Sequence, residues 1–379
     1  MLKKITPLFL VVLSAIISCG ESAELGNPLE NVLNSEHANI KRVMDSVDQY
    51  EVQIRYTQID RRNDSIIFTD YDFQVDDKNY FYPASTVKFP VAVAALEKLS
   101  EIDTLNKDTR FYVEGDSVET TFAKTISEIF AVSDNDANNR LIEFVGQDAI
   151  NYRMQRKGVV PLRIAHRLGT HSDDTATRPL VVYLNDSTIA NLAGTINTAP
   201  EPLPLNKIKK GSGSIEEDSL MLEPFDFSLK NHYPISSQHK LLKRIIFPEK
   251  FASEERFDLR EEQRELLLTS MYTLPKSMGY DPVEYYDSYC KFFIYGDTKE
   301  AIPEHIKIYN KVGWAYGTLT DCAYIKDEKN NIDFMVTATL LANKNGIFND
   351  DTYEFEEIGI PFLAELGRQL YNYELNRKK

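Results

Sequence analysis

Three short segments of this chain hold residue types whose spacing suits acyl transfer. In Pro83-Ala84-Ser85-Thr86-Val87-Lys88-Phe89-Pro90, a serine and a lysine stand three residues apart, directly before the apolar run Val91 to Leu96. A run that is apolar all round predicts a buried helix rather than an amphipathic one. Pro90 is tolerated only near a first turn, so the helix starts close to Ser85. Unpaired backbone N–H groups and the helix dipole there favour an oxyanion. Lys88 lies about one turn on, where its amine can approach the Ser85 hydroxyl. Burial lowers a lysine's pKa, and the neutral amine is a general base that makes a hydroxyl nucleophilic. The same pair also recurs by chance, as an N-cap serine and a surface lysine.

The second segment is Ser133-Asp134-Asn135, between a helix suggested by Phe122, Ile126, Ile129 and Phe130 and another with Leu141, Ile142 and Val145 as its stripe. Helix capping explains these residue types. A sharper reading turns the Ser133 hydroxyl and the Asn135 amide toward Ser85 and Lys88, to relay a proton to a leaving amine and to hold substrate. The third is Lys311-Val312-Gly313, at the end of a strand whose alternation puts Ile306, Ile308 and Val312 on one face and Lys307, Tyr309 and Lys311 on the other. Lys311 can attract a substrate carboxylate, or be no more than a solvated strand lysine. Gly313 lets a substrate backbone lie against the strand edge. The Trp314 backbone N–H could complete an oxyanion hole with that of Ser85.

These segments need elements to position them, and the chain supplies strands at both ends. Val52, Ile54 and Tyr56 alternate as a strand, and Ile66 to Thr69 returns beyond the turn Arg61-Arg62-Asn63-Asp64-Ser65. Ile306 to Lys311, Thr320 to Ile325 and Ile332 to Leu341 read as three more strands, with a hairpin loop at Asp327 to Asn331. Ile40, Val43, Met44 and Val47 predict a first helix, and Phe362, Leu366 and Leu370 a closing one after Pro361. The sheet is therefore shared by residues 36–73 and 303–379, with 74–302 mainly helical. Gly211-Ser212-Gly213-Ser214 predicts an exposed loop in an insertion over about 200–300.

Composition limits the partners. With 42% hydrophobic and 27% charged residues, the chain has ample material for a core. Forty-three basic against 58 acidic residues give a net charge of −15, which repels a phosphate backbone and argues against nucleic acid. Six histidines and three cysteines leave little for a zinc framework, and no metal or cofactor is expected. Residues 1–18 form an address: Lys3 and Lys4 precede an apolar run from Ile5 to Ile17, too short to span a bilayer. Ile16-Ile17-Ser18-Cys19 resembles a bacterial lipobox, which implies acylation of Cys19, a membrane anchor and a tether over 19–35. The expected location is the bacterial cell envelope, periplasmic or surface-facing. An oxidising compartment permits a Cys290–Cys322 bridge, which the sequence leaves open.

Taken together, the three motifs resemble the penicillin-recognising serine enzymes, and most of all the class A β-lactamases. Tyr316-Gly317-Thr318 and Asp321 follow the third motif as in that family, and Asp174-Thr175-Ala176-Thr177-Arg178-Pro179 is similar to the close of its omega loop. The resemblance covers about residues 36–375, most weakly from 200 to 300. It implies an α+β fold: a five-stranded antiparallel sheet with flanking helices and an inserted helical domain, the active site lying between. It also implies Ser85, Lys88 and Ser133 as catalytic residues, with Asn135, Lys311, Gly313 and Trp314 binding substrate.

The departures are as informative. The family's omega-loop glutamate, which activates the deacylating water, has no counterpart, since no glutamate lies between Glu143 and Glu201 and the equivalent position falls near Pro161. His166 and His171 could activate a water in its place. Val312 replaces the usual hydroxyl residue, and no arginine lies between Lys311 and Ile325. Tyr280, Tyr285, Tyr286, Tyr289, Phe292 and Phe293 crowd the inserted stretch, as packing or to stack a peptide or sugar. The expectation is a lipid-anchored serine acyl hydrolase that acts on a β-lactam or related cyclic or peptide amide through a Ser85 acyl-enzyme, with deacylation in doubt. Its rivals are a D,D-peptidase or other peptidoglycan enzyme and a non-catalytic envelope binding protein.

Overall fold

The computed structural model describes residues 26–63, 65–169 and 172–377. The signal segment, Cys19 and His171 lie outside the described residues. Among those described, no helix is long and apolar enough to cross a membrane.

The sheet has five strands, in the order Ile306–Ala315, Thr318–Asp327, Ile332–Leu341, Gln53–Arg62, Ser65–Phe73. Every neighbouring pair is antiparallel, and the two ends of the chain meet where Tyr56 pairs with Val336. The α+β architecture expected from the motifs is the one observed. The edge strand and its partner run further than their apolar alternation suggests, because Tyr316 and Gly317 (φ 51° and 68°) form a two-residue turn with both residues left-handed. That geometry matches strand twist and continues the hairpin to its tip. Gly313 and Trp314 therefore sit inside the edge strand, beyond its expected end at Lys311.

One face of the sheet packs against helices Ala38–Met44 and Ile360–Asn376, in a core that includes Ile54, Val312, Phe334 and Leu366. The other packs against helix Ile235–Ile246, beside the helical region whose core includes Leu96, Ile129, Leu141 and Met335. Helix Lys88–Ser100 runs through this second core, with Val91 to Leu96 each no more than 1% exposed. The apolar-all-round run is buried on every side, as such a run must be.

Three expectations change. The segment expected to be tether contains a short helix, Pro28–Leu33, whose Leu29, Val32 and Leu33 pack into the first core. The middle of the chain is less purely helical than its sequence suggests: Arg110–Val113, Thr120–Thr121, Leu180–Asn185 and Thr188–Leu192 form a four-stranded sheet. These strands have at most six residues, too few to show a clear two-residue period. Within the insertion, Gly213 and Ser214 are buried in a strand, Gly213–Glu216, which pairs with Ile347–Phe348. A Cβ on neighbouring Gly211 would lie 2.2 Å from the Gly346 carbonyl, so glycine here serves close approach. Cys290 and Cys322 are both free and belong to cores on opposite sides of the sheet.

Candidate active site

Ser85 lies in a single 3-10 turn, Ala84–Val87, that leads into helix Lys88–Ser100. Its neighbour Ala84 is buried with φ +47°, a left-handed conformation that costs a non-glycine residue of order 1–3 kcal/mol. The turn is pinned by Thr86, whose Oγ1 donates to the Pro83 carbonyl at 2.6 Å. The edge strand presses directly on it. A Cβ at Gly313 would stand 2.8 Å from both the Ser85 amide nitrogen and the Pro83 oxygen, so only glycine permits this approach. The strand and the Ser85 amide thus meet where an oxyanion would need paired donors.

Ser133 lies in a left-handed kink (φ +59°) between helices Phe122–Ala131 and Asn135–Val145. Asp134 is the N-cap of the second helix, its carboxylate accepting from the Ala137 N–H at 2.6 Å, as the capping reading requires. Capping occupies Asp134 alone. Ser133 and Asn135 meet Lys88, which donates to Asn135 Oδ1 at 2.6 Å, to Ser133 Oγ at 3.3 Å and to the Ser133 carbonyl. Lys311 Nζ reaches the same hydroxyl from the edge strand at 2.8 Å. Two amines therefore face one serine oxygen. When both lone pairs are occupied, the Ser133 O–H is left to point away from the lysines. Ser85 itself is half-buried, and among the described residues its hydroxyl makes no hydrogen bond; the reach of Lys88 is spent on Ser133 and Asn135.

Burial dominates the electrostatics. Lys88, fully buried, is held well below the usual lysine range by desolvation and then by the charge of Lys311. Lys311 is brought down to about 8, again chiefly by desolvation. Behind them is a polar layer in which Asp321, marked by the motif, meets two residues that were not: Lys291 donates to Asn310 Oδ1 at 2.7 Å, and Asn310 Nδ2 donates to Asp321 Oδ1 at 2.8 Å. Burial lifts Asp321 to about 6 and lowers Lys291 to about 8. Among the described residues no cluster of His, Cys, Asp or Glu could hold a metal ion.

Val312 and Trp314 point to the opposite side of the edge strand. Val312 is fully buried in the outer core, so it is withdrawn from substrate as well as lacking a hydroxyl. The Trp314 ring packs on Phe292 (5.7 Å) and Tyr289 (5.9 Å), and only its backbone continues the wall begun by Gly313. Lys311 is 2% exposed and already donates to Ser133 Oγ and the Val312 carbonyl, a geometry more suited to governing Ser133 than to meeting a carboxylate.

The loop over residues 161–179 packs beside Asn135, whose side-chain amide lies 3.9 Å from the position of a Cβ on Gly169. Its anchor, Arg167, was not anticipated. Arg167 forms a bidentate pair with Glu143 at 2.9 and 2.8 Å and donates to the carbonyls of Asp174 and Ala176. His166 does not offer a free base: Nδ1 is bonded to the Arg167 carbonyl at 2.5 Å, Nε2 accepts from the Asn231 N–H, and burial lowers it to about 4. The insertion closes over this side. Phe225 and Phe227 pack against Tyr316, which meets Tyr82 edge-on at 4.9 Å, and a cavity of about 930 Å³ opens between Tyr316, His166, Asp173 and Glu223.

A sequence model of the β-lactamase enzyme family matches residues 37–193, which contain Ser85, Lys88, Ser133 and Asn135. A comparison with curated proteins finds no match. Among solved structures, the chain is similar to a β-lactamase from Desulfarculus baarsii DSM 2075 (TM-score 0.53, 11% identity, 92% of this chain and 98% of that one). A β-lactamase from Sphaerobacter thermophilus DSM 20745 gives a TM-score of 0.51 at 13% identity, covering 92% of this chain and 96% of its own. The chromosome-encoded β-lactamase of Vibrio parahaemolyticus gives 0.51 at 13% identity, with coverage of 89% and 98%. At such identities the likeness speaks for the fold. The family match over residues 37–193 marks the part of the chain that carries Ser85, Lys88, Ser133 and Asn135.

Proposed function

We propose that the protein opens a β-lactam, or a related cyclic or peptide amide, through an acyl-enzyme on Ser85. The observation that carries this reading is Ser133 Oγ held between Lys88 and Lys311, beside a strand that abuts the Ser85 amide. Ser85 Oγ adds to the carbonyl carbon and its proton passes to neutral Lys88 Nζ, a contact that closes up when substrate binds. The Ser85 and Trp314 N–H groups stabilise the oxyanion. As the C–N bond breaks, Ser133 gives its proton to the leaving nitrogen and regains one from Lys88. Asn135 positions both the substrate and Lys88.

Deacylation lacks the family's base. No glutamate lies between Glu143 and Glu201, and His166 has both ring nitrogens engaged. The expected outcome with a penicillin is a long-lived acyl-enzyme. Intact-protein mass after incubation with benzylpenicillin, beside a Ser85→Ala control, tests this: a stable gain on the wild type alone is expected. Untouched drug and no gain would sink the reading. Turnover of a chromogenic cephalosporin at ~10 per second would sink its deacylation half. The missing base equally suits a D,D-peptidase, for which release of D-alanine from a muropeptide mimic is the distinguishing assay. The same reading puts the enzyme at the cell envelope, anchored through acylated Cys19. Mass analysis of the protein extracted from membranes, against a Cys19→Ala variant, checks that anchor.

A further inference from the structure

The edge strand gives the cleft a direction. Lys311 reaches Ser133, the proposed proton donor to the leaving nitrogen, and two residues on, Gly313 abuts the Ser85 amide. The acyl half of a bound substrate therefore points the other way, toward Ala315 and Tyr316. At about 3.3 Å per residue, Tyr316 lies about 10 Å beyond the reacting carbonyl. There the cavity of about 930 Å³ begins, with Tyr316 in its wall. The other wall of the cleft leads to the same place. The loop that passes Asn135 at Gly169 lines the cavity with His166 before that point and with Asp173 after it. Tyr82, three residues before Ser85, is stacked on His166 at 6.4 Å and meets Tyr316 edge-on at 4.9 Å, so it joins the two walls.

Cavities of about 300–1,000 Å³ hold whole drug-sized ligands, so this one has room for far more than a small acyl group. Most of its lining comes from residues 199–230, the insertion where the family resemblance is weakest. That lining is aromatic and acidic. The Phe225 ring lies 5.4 Å from that of Tyr316. Asp173, Glu216 and Glu223 carry no salt bridge among the described residues; Ser172 Oγ donates to Asp173 at 3.4 Å and Ser214 Oγ to Glu216 at 3.3 Å. Of the two lysines in the lining, Lys209 is paired with Asp226 at 3.5 Å, which leaves Lys230 to oppose three carboxylates. A cationic chain end would meet ring faces and uncompensated negative charge here, and an anionic one would be repelled.

We propose that this cavity receives the acyl half of the substrate as an extended chain that ends, about 10 Å beyond the scissile carbonyl, in an amine. The proposal rests on the acyl-enzyme reading above. Three penicillins that differ only in the chain on the ring amino group test it on the full protein: 6-aminohexanoyl, hexanoyl and adipoyl. The readout is the second-order rate of Ser85 acylation, followed by intact-protein mass. The carboxylates are solvent-exposed and partly screened, so the wild type is expected to favour the aminohexanoyl over the adipoyl chain by about 3- to 10-fold, with hexanoyl between them. The double variant Glu216→Gln, Glu223→Gln is expected to lower that ratio by about threefold or more. Equal or better use of the adipoyl chain, or a ratio unchanged in the double variant, would overturn the proposal. Absence of any Ser85 adduct with all three penicillins is a different failure, which overturns the acyl-enzyme reading as well.

Discussion

The serine–lysine centre and the loop over residues 161–179 lie side by side, and they are built on opposite terms. At the centre the backbone is held in costly conformations, at Ala84 (φ +47°) and Ser133 (φ +59°), and two lysines are buried around one hydroxyl. Strain of this kind persists only where the surroundings over-determine it, and it serves pre-organisation. In the described part of the loop the strong interactions of Arg167 and His166 are structural. Arg167 is paired with Glu143 and holds two carbonyls, and His166 is bonded to backbone through both nitrogens. Among the described residues of the loop, Arg167 is the anchor and His166 has both ring nitrogens engaged. The difference separates two kinds of construction: the centre spends backbone strain and buried amines on arranging side chains around Ser133, and the described part of the loop spends its interactions on keeping its own shape.

That contrast can be broken first at the centre. Lys88→Met is expected to lower the rate of Ser85 acylation by about 10³–10⁴-fold, as loss of a general base does, while raising the thermal midpoint by removing a desolvated amine. Stopped-flow acylation and a melting curve check both; a fall in stability would mean that Lys88 holds the fold together. Gly313→Ala comes next. Its methyl would stand 2.8 Å from backbone atoms at Ser85 and Pro83, and the displacement should cost about 10²-fold in acylation.

The loop answers differently. Glu143→Ala strands the buried Arg167 charge and should cost about 3–5 kcal/mol in denaturant unfolding, yet leave the acylation rate of the folded protein within about threefold. A loss as large as that of Gly313→Ala would join the two regions into one machine. pH acts on stability alone. His166, His232 and His239 are buried, with pKa values brought down by desolvation to about 4, 4 and 3. Between about pH 6.5 and 4 the unfolded chain binds protons at these sites that the folded chain refuses, so stability falls as pH falls through that window. Each site contributes up to about 3 kcal/mol, and the denaturation midpoint from pH 7 to 4 reports the sum.

The sequence made the sheet and the centre readable for different reasons. Apolar alternation in Ile306–Lys311 and in Ile332–Leu341 is long enough to declare strands, and Pro90 beside an apolar run marks the start of a buried helix. Ser85, Lys88, Ser133, Asn135 and Lys311 were identifiable as a set by order and residue type. What stayed hidden depends on folding geometry. Nothing in Lys-Val-Gly-Trp tells that Val312 is turned into the outer core, or that Lys88 spends its donors on Ser133 and Asn135 instead of Ser85. The Arg167–Glu143 pair was illegible because partners 24 residues apart leave no periodic trace. The strands between 110 and 192 were too short to stand out from loops.

The shared sheet has a consequence for how the protein is made. Its inner strand from near the N-terminus pairs with one near the C-terminus, and the Tyr56 hydroxyl donates to Glu374 across 318 residues of chain. Contacts of such long range form only after a large loop has closed, so folding is late and slow. Lys311 reaches Ser133 from 178 residues further along the chain, and until its strand has joined the sheet Ser133 has one amine in place of two.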